Sequence, residues 1–468
     1  MPPQLALLLC TAFVVYLFRA DKDKDIDSYK PSLGLLLPTL WLLYSGSREL
    51  VYWFGNGFIT DNGSTIEEGS QIDRLFLCTL IALSVVVLSR RNLNWRTVVD
   101  RNRALVLLYG YAFISIGWSE FPFSSFKRFI RLGGGVLMAL VILTETSPRE
   151  ALETVFKRMV YILIPFSMVL IKYYPNLGVV YRAHSGGKSW VGVTLSKNQL
   201  GILCMVSAFF LVWRFFTKRK ILARHRTFVE TGTYFLLFGL CLYLMLGEGA
   251  YSATAMACLP ASIITFYLLT RAQRRSARVS TKALLIPITV IFLLGASLPF
   301  LGTSPVAGIT DLLGRDATFT SRTDIWNILR PFAEEAPILG HGYGGFWSES
   351  VIRLAEVNEA HNGYLEVILI LGIPGLIVLF GYLASCCRHV QRSLAWGYNA
   401  DWAIFGFCFI VLLVLHEATE ASFLAETDLL WTCMIFLTMS YESVEVSEEF
   451  ETEEEETGEL PYAEEARI

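Results

Sequence analysis

Long apolar blocks alternate with short polar breaks along this chain. The blocks fall at about 3–18, 31–46, 75–89, 104–118, 132–146, 159–172, 199–216, 228–247, 252–270, 283–301, 362–385, 402–416 and 429–441. Most come close to the ~20 residues that cross the hydrocarbon core of a bilayer. Within a block the apolar residues run on without alternating with polar ones. Lipid offers backbone groups no partner, so a spanning segment is a helix or a barrel strand, and only the strand alternates. The pattern predicts an all-α, polytopic membrane helical bundle of about 12–13 transmembrane helices. It divides the chain into a helical region over 1–301, one large loop over 302–361, C-terminal helices over 362–441 and a tail over 442–468.

Composition sharpens this picture. Hydrophobic residues make up 54% of the chain and charged ones 17%, against roughly 25% charged in a soluble domain. Such a chain cannot cover a water-facing surface, which excludes a soluble globular protein. The net charge of −3 hides a split. Residues 442–468 hold twelve Glu and one Arg, a charge of −11, so the rest carries +8. A block of one charge without an apolar period reads as a solvated, disordered tail. The thirteen spans put 26 of the 39 Lys and Arg on one side, with clusters at 90–103, 214–226 and 271–282. That side is cytoplasmic by the excess of positive charge. The tail then lies inside and the N-terminus outside. The expected place is a bacterial inner membrane. The first block lacks a positive leader and a small-residue cleavage site, so it reads as a membrane helix. The nine cysteines lie almost entirely in apolar blocks, which leaves no disulfide or CxxC pattern.

The outer (periplasmic) loops follow as 47–74, 119–131, 173–198, 302–361 and 417–428. Long ordered loops usually carry function. Three outer segments hold basic residues against the bias. The first has Lys127, Arg128 and Arg131, one helical turn apart. They suit a phosphate at the membrane surface or an anchor to anionic headgroups. The second carries Arg182 and Lys197 as anion ligands or plain loop charges. Its Gly186-Gly187-Lys188-Ser189 run lacks the upstream glycine of a nucleotide-binding loop. The third is the long loop, where Arg322 opens an expected helix that Thr323 or Asp324 can cap.

His361 stands where that loop enters an apolar span. A histidine titrates near neutrality and commonly accepts protons in catalysis, although a lone one is more often structural. His341 is a further candidate, but no acidic or Cys residue sits at metal spacing from either histidine, so no metal is expected. Glu366 and Glu248 lie near span entrances, as cavity groups or snorkelling side chains. His416, Glu417 and Glu420 read as a helix-end cap or a hydrogen-bonded core group.

Several of these segments together resemble the O-antigen ligase and O-antigen polymerase superfamily. They are Arg322-Thr323-Asp324-Ile325-Trp326, Gly340-His341-Gly342-Tyr343-Gly344, His361-Asn362-Gly363-Tyr364-Leu365-Glu366 and Lys197-Asn198-Gln199-Leu200-Gly201. The resemblance covers about residues 105–440. It implies a GT-C-like glycosyltransferase architecture and transfer of an undecaprenyl-diphosphate-linked glycan to a sugar hydroxyl outside the inner membrane. On that reading Arg128, Arg182, Arg322, Lys127 and Lys197 would hold the diphosphate, and His361 would act as general base. The resemblance calls for no cofactor or metal. Its implied partners are the lipid-linked donor, a glycan or glycolipid acceptor, membrane lipids and polysaccharide-assembly proteins, with no nucleic acid. Tyr251-Ser252-Ala253-Thr254-Ala255 departs from the Ser-Arg-Gly-type run of the ligase branch and leans towards exopolysaccharide polymerases. A ligase acting on lipid A-core stays open, as does a lipid-linked glycan flippase. A flippase would call for charged residues at mid-span, and the central spans here are nearly charge-free.

Overall fold

A computed structural model describes residues 1–22, 29–54, 70–91, 93–181, 187–217, 228–247, 249, 251–301, 318–397 and 400–439. Every predicted span contains a helix, and the protein is a polytopic helical bundle. The first half runs through α1 (Pro3–Lys22), α2 (Leu36–Ser45), the short α3 (Leu50–Phe54), α4 (Gln71–Ser89), α5 (Trp95–Arg101), α6 (Arg103–Ser115), α7 (Pro122–Leu143) and α8 (Pro148–Tyr173). A turn, α9 (Pro175–Gly178), leads into a hairpin of β1 (Val179–Tyr181) and β2 (Lys188–Trp190), antiparallel with Val179 opposite Trp190. Then follow α10 (Lys197–Thr217), α11 (Phe228–Leu246), α12 (Ala253–Arg274), α13 (Thr281–Ser297), α14 (Thr318–Glu335), α15 (Glu349–Ala355), α16 (Gly363–Trp396), α17 (Ala400–His416) and α18 (Leu429–Thr438). Among the described residues six helices are long and apolar enough to cross a membrane, and six shorter ones are apolar.

Burial sorts these helices into centre and rim. In α10 78% of the most apolar window is buried, against 28% in α4, α12 and the stretch containing α13. The rim helices turn Leu75, Ile264, Leu268 and Leu293 outward. Apolar side chains over so much surface mark contact with lipid. At the centre, packing replaces the hydrophobic effect, which lipid cannot supply between helices. Phe209 and Phe405 stack at 5.2 Å between α10 and α17, and Trp213 meets Phe405 at 4.7 Å.

The structure moves some predicted boundaries. Helix α7 starts at Pro122, whose fixed φ suits the first helical position, so Lys127, Arg128 and Arg131 ride on a helix and not in a loop. Helix α14 starts at Thr318, so Arg322, Thr323 and Asp324 are interior and neither of the latter two caps it. Its buried stripe of Thr323, Trp326, Leu329 and Ala333 explains the extension, since tertiary packing outweighs the weak propensity of its threonines. Helix α16 bends at Gly372, where φ is +69°. The outer loop docks on that bend, with Ile373 N donating to Pro337 O at 2.8 Å and His341 N to Leu369 O at 2.8 Å. The basic cluster over 218–226 and the tail over 442–468 lie outside the described residues.

Candidate functional site

His361 sits in a backbone conformation that its neighbours enforce. Its φ is +47°, a region that costs a non-glycine residue ~1–3 kcal/mol and persists only where the surroundings over-determine it. On the N-terminal side, Ala360 N donates to Glu366 Oε2 at 2.9 Å and Ala360 O accepts from Trp326 Nε1 at 3.0 Å. Trp347 Nε1 donates to the other Glu366 oxygen at 2.6 Å. On the C-terminal side, Asn362 caps α16, its Oδ1 accepting from Leu365 N at 2.9 Å. Asn362 Nδ2 donates to Gly295 O and Ala418 O. Gly363 N donates to Glu417 O at 2.8 Å. A Cβ on Gly363 would fall 1.7 Å from Glu417 Oε2, so only glycine fits there. The motif His-Asn-Gly-Tyr-Leu-Glu thus builds its own clamp, and Glu366 belongs to that clamp.

The imidazole meets carboxylates from two directions. Nδ1 lies 3.0 Å from Glu359 Oε1 and 3.2 Å from Glu420 Oε2. Glu420 also accepts from Asn198 Nδ2 at 2.7 Å and from Arg322 Nη2. One buried carboxylate therefore joins the first turn of α10, helix α14 and the mouth of α16. Thr254 at the start of α12 reaches the same segment through Thr419, at 2.7 Å between hydroxyls. The electrostatics are mutual. Burial raises the Glu420 carboxyl, but His361, Arg322 and His416 together bring it below the usual glutamate range. Burial lowers the His361 imidazolium, but Glu359 and Glu420 outweigh that and raise its pKa to about 9.

Glu359, His361 and Glu420 offer ligand atoms within 4.8 Å of one another, a set that can hold a metal ion. Glu359, two residues before His361, corrects the expectation that no acidic residue sits at metal spacing from that histidine, while Glu420 arrives from another loop that no spacing could show. Arg322 and Asn198 already occupy Glu420, and a guanidinium there competes with any cation.

The remaining predicted residues divide. Lys197 opens α10 beside Asn198. Arg128 and Arg131 belong to a different group, around Glu426. Lys127 lies over the Phe123 ring at 4.9 Å. His341 is apart from His361, its Nε2 at Phe332 O (3.2 Å) and its ring against Phe346. Arg182 and Glu248 lie outside the described residues. Glu420, Glu359, Asn198 and Glu426 were not singled out as site residues. The signal for three of them was present: Glu359 stands two residues before His361, and the outer segment 417–428 carries Glu417, Glu420, Glu426 and Asp428.

An apolar cavity of about 540 Å³ opens between α1, α2, α4 and α8, with Trp53, Phe76, Phe166, Leu177 and Val193 in its wall. Val193 belongs to the segment leading to Asn198. Arg48 fixes that segment, donating to Leu177 O and Gly192 O at 2.6 Å and to Thr194 O at 3.0 Å.

Residues 233–380 match the family model described as O-antigen ligase. Over 301 residues the chain is 26% identical to the exopolysaccharide production protein ExoQ of Rhizobium meliloti (strain 1021), covering 61% of this chain and 65% of that protein. The chain thus spans just under two thirds of the relative's length. The family match takes in Arg322, His361 and Glu366, three of the residues that meet at the mouth of α16. Its helical bundle, the family match and this relative together liken the chain to the O-antigen ligase/polymerase-like superfamily.

Proposed function

We propose that this protein is a membrane glycosyltransferase of the periplasmic face of the bacterial inner membrane. It transfers an undecaprenyl-diphosphate-linked oligosaccharide to a sugar hydroxyl and polymerises exopolysaccharide or O-antigen repeat units. The observation that carries this reading is the meeting of Asn198, Arg322 and His361 on Glu420. Three separate outer segments supply an amide, a guanidinium and an imidazole to one point. Similarity to an exopolysaccharide production protein favours polymerisation over transfer to lipid A-core.

In the reaction the acceptor oxygen attacks the anomeric carbon. The bond from that carbon to the phosphate oxygen breaks, and the electron pair leaves with undecaprenyl diphosphate. Arg322 and Lys197 stabilise the charge that grows on the leaving group. His361 directs Nδ1 to its carboxylates, which gives Nε2 to the acceptor hydroxyl, and the proton moves there. A single displacement inverts the anomeric centre. The cavity of about 540 Å³ suits part of the lipid chain, within the usual size of ligand sites. The guanidinium on Glu420 argues for metal-independent transfer, so a chelator leaves the rate unchanged.

The test is turnover by purified protein in lipid, given an undecaprenyl-diphosphate oligosaccharide alone, with His361→Ala alongside. A glycan ladder with release of undecaprenyl diphosphate is expected from the wild type and none from the variant. A ladder of full intensity from His361→Ala ends the role of His361 as base. No wild-type ladder, followed by transfer once lipid A-core is added, turns the reading into a ligase.

A further inference from the structure

Sequence reading gathered the outer cations around one diphosphate, but the structure divides them. Arg322 faces Glu420, while Arg131 Nη2 meets Glu426 Oε2 at 2.7 Å and Arg128 Nε lies 3.8 Å from Glu426 Oε1. Glu420 and Glu426 are six residues apart, a chain reach of at most ~20 Å. We propose that Lys127, Arg128 and Arg131 form a second phosphate-binding site at the outer membrane surface, with Glu426 as its resident, displaceable counter-ion.

Five observations support this. Arg128 and Arg131, one turn apart on α7, share the Glu426 carboxylate, and Lys127 stands beside Arg128 over the Phe123 ring. Arg128 is held in place from behind, since its Nη1 donates to Gly344 O at 3.2 Å. That orders one guanidinium edge and presents a fork suited to paired phosphate oxygens. The side chains of Arg128 and Arg131 keep 26% and 36% of their exposure, enough for an incoming anion to reach them. On the same helix Phe123, Phe126 and Ile130 are exposed. Aromatic and apolar groups next to cations mark the level of lipid headgroups. Burial also raises the Glu426 carboxyl despite Arg131 and Arg128, which makes it a weak hold on both. The ligand class is a phosphate group, from a lipid headgroup or from a free diphosphate.

The test is binding of inorganic pyrophosphate to the full-length protein in nanodiscs of phosphatidylcholine, by calorimetry at low ionic strength. Glu426→Gln removes the competitor and tightens binding about tenfold. Glu426→Asp keeps wild-type affinity. Adding Arg128→Ala and Arg131→Ala to Glu426→Gln erases the gain. Nanodiscs containing phosphatidylglycerol tell the sources apart. Weaker pyrophosphate binding there means headgroups fill the site, and unchanged binding means a free or substrate diphosphate does. If Glu426→Gln is folded and monodisperse yet binds no tighter, Glu426 is an internal tie and the proposal falls. Should that variant not fold, Arg131→Gln alone must weaken wild-type binding at least fivefold, and unchanged binding overturns the site. The readout needs no turnover, so its failure leaves the His361 reading intact.

Discussion

Helix α10 carries buried polar contacts at both ends, and the two differ in kind. Near its C-terminus Arg214 Nε meets Glu153 Oε1 at 2.7 Å, with side-chain exposures of 7% and 4%. Arg214 also donates to Tyr161 at 3.2 Å. At its first turn, ~24 Å away along the axis, Asn198 joins Arg322 and His361 on Glu420. The first contact ties two adjacent helices and is closed to solvent. The second gathers three distant segments, leaves His361 22% exposed and holds it at positive φ. A closed pair fastens helices together. An open, titratable and strained cluster costs stability that a fastening would not need, which supports the proposal that it is the working site.

Breaking each end separately tests the contrast. Glu153→Ala leaves Arg214 buried without its carboxylate, at a cost of about 3–5 kcal/mol. Its Tm in detergent falls, while turnover per folded molecule stays at the wild-type level. Glu420→Ala should reverse the pattern. It releases Arg322, Asn198 and His361 together, and transfer drops by about a hundredfold or more, the size expected when a positioned acid–base group is lost. A Glu420→Ala enzyme that loses stability but keeps its rate would reduce the outer cluster to a second fastening.

Arg322→Lys sharpens the comparison with a smaller effect. Lysine keeps the charge but loses the planar fork, which at Glu420 and at a diphosphate is geometrically specific. The expected loss is about tenfold in kcat/KM, ~1.4 kcal/mol. The same exchange at Arg214 should leave the rate unaltered. Equal rates for Arg322→Lys and wild type would confine Arg322 to a surface role.

What could be read in advance follows from the range of each interaction. The helices under the thirteen apolar blocks were legible because hydropathy is local. Arg322 and His361 stood out as functional types in outer segments. Glu420 did not, since Asn198, Arg322 and His361 lie 222, 98 and 59 residues from it. No spacing rule links such positions, and a lone sequence offers no second copy to reveal their coupling. The positive φ of His361 was equally hidden, because histidine carries no steric mark for it as glycine would. The start of α14 was misplaced for the opposite reason: Thr323 and Asp324 suggested a cap, and packing of Trp326 and Leu329 decided otherwise.

The smallest expected effect bears on how the open cluster works. His361 is held at a pKa of about 9, with Glu359 the first of the groups that raise it against burial. If neutral imidazole is the working form, its fraction grows as pH rises, so the rate climbs until about pH 9 and then levels. Glu359→Gln removes one carboxylate and leaves Glu420 in place. The His361 pKa then moves down towards the ordinary value near 6.5, and the rising limb shifts to lower pH. The plateau should change by no more than about twofold, because the hydrogen bond to Glu420 still orients the ring. A rate that instead falls as pH rises through 9 would mean that the imidazolium is the working form, binding phosphate beside Arg322. Glu359→Gln would then pull that fall to lower pH. The slope of the wild-type profile distinguishes a base from a cation, and the shift in the variant ties the slope to His361.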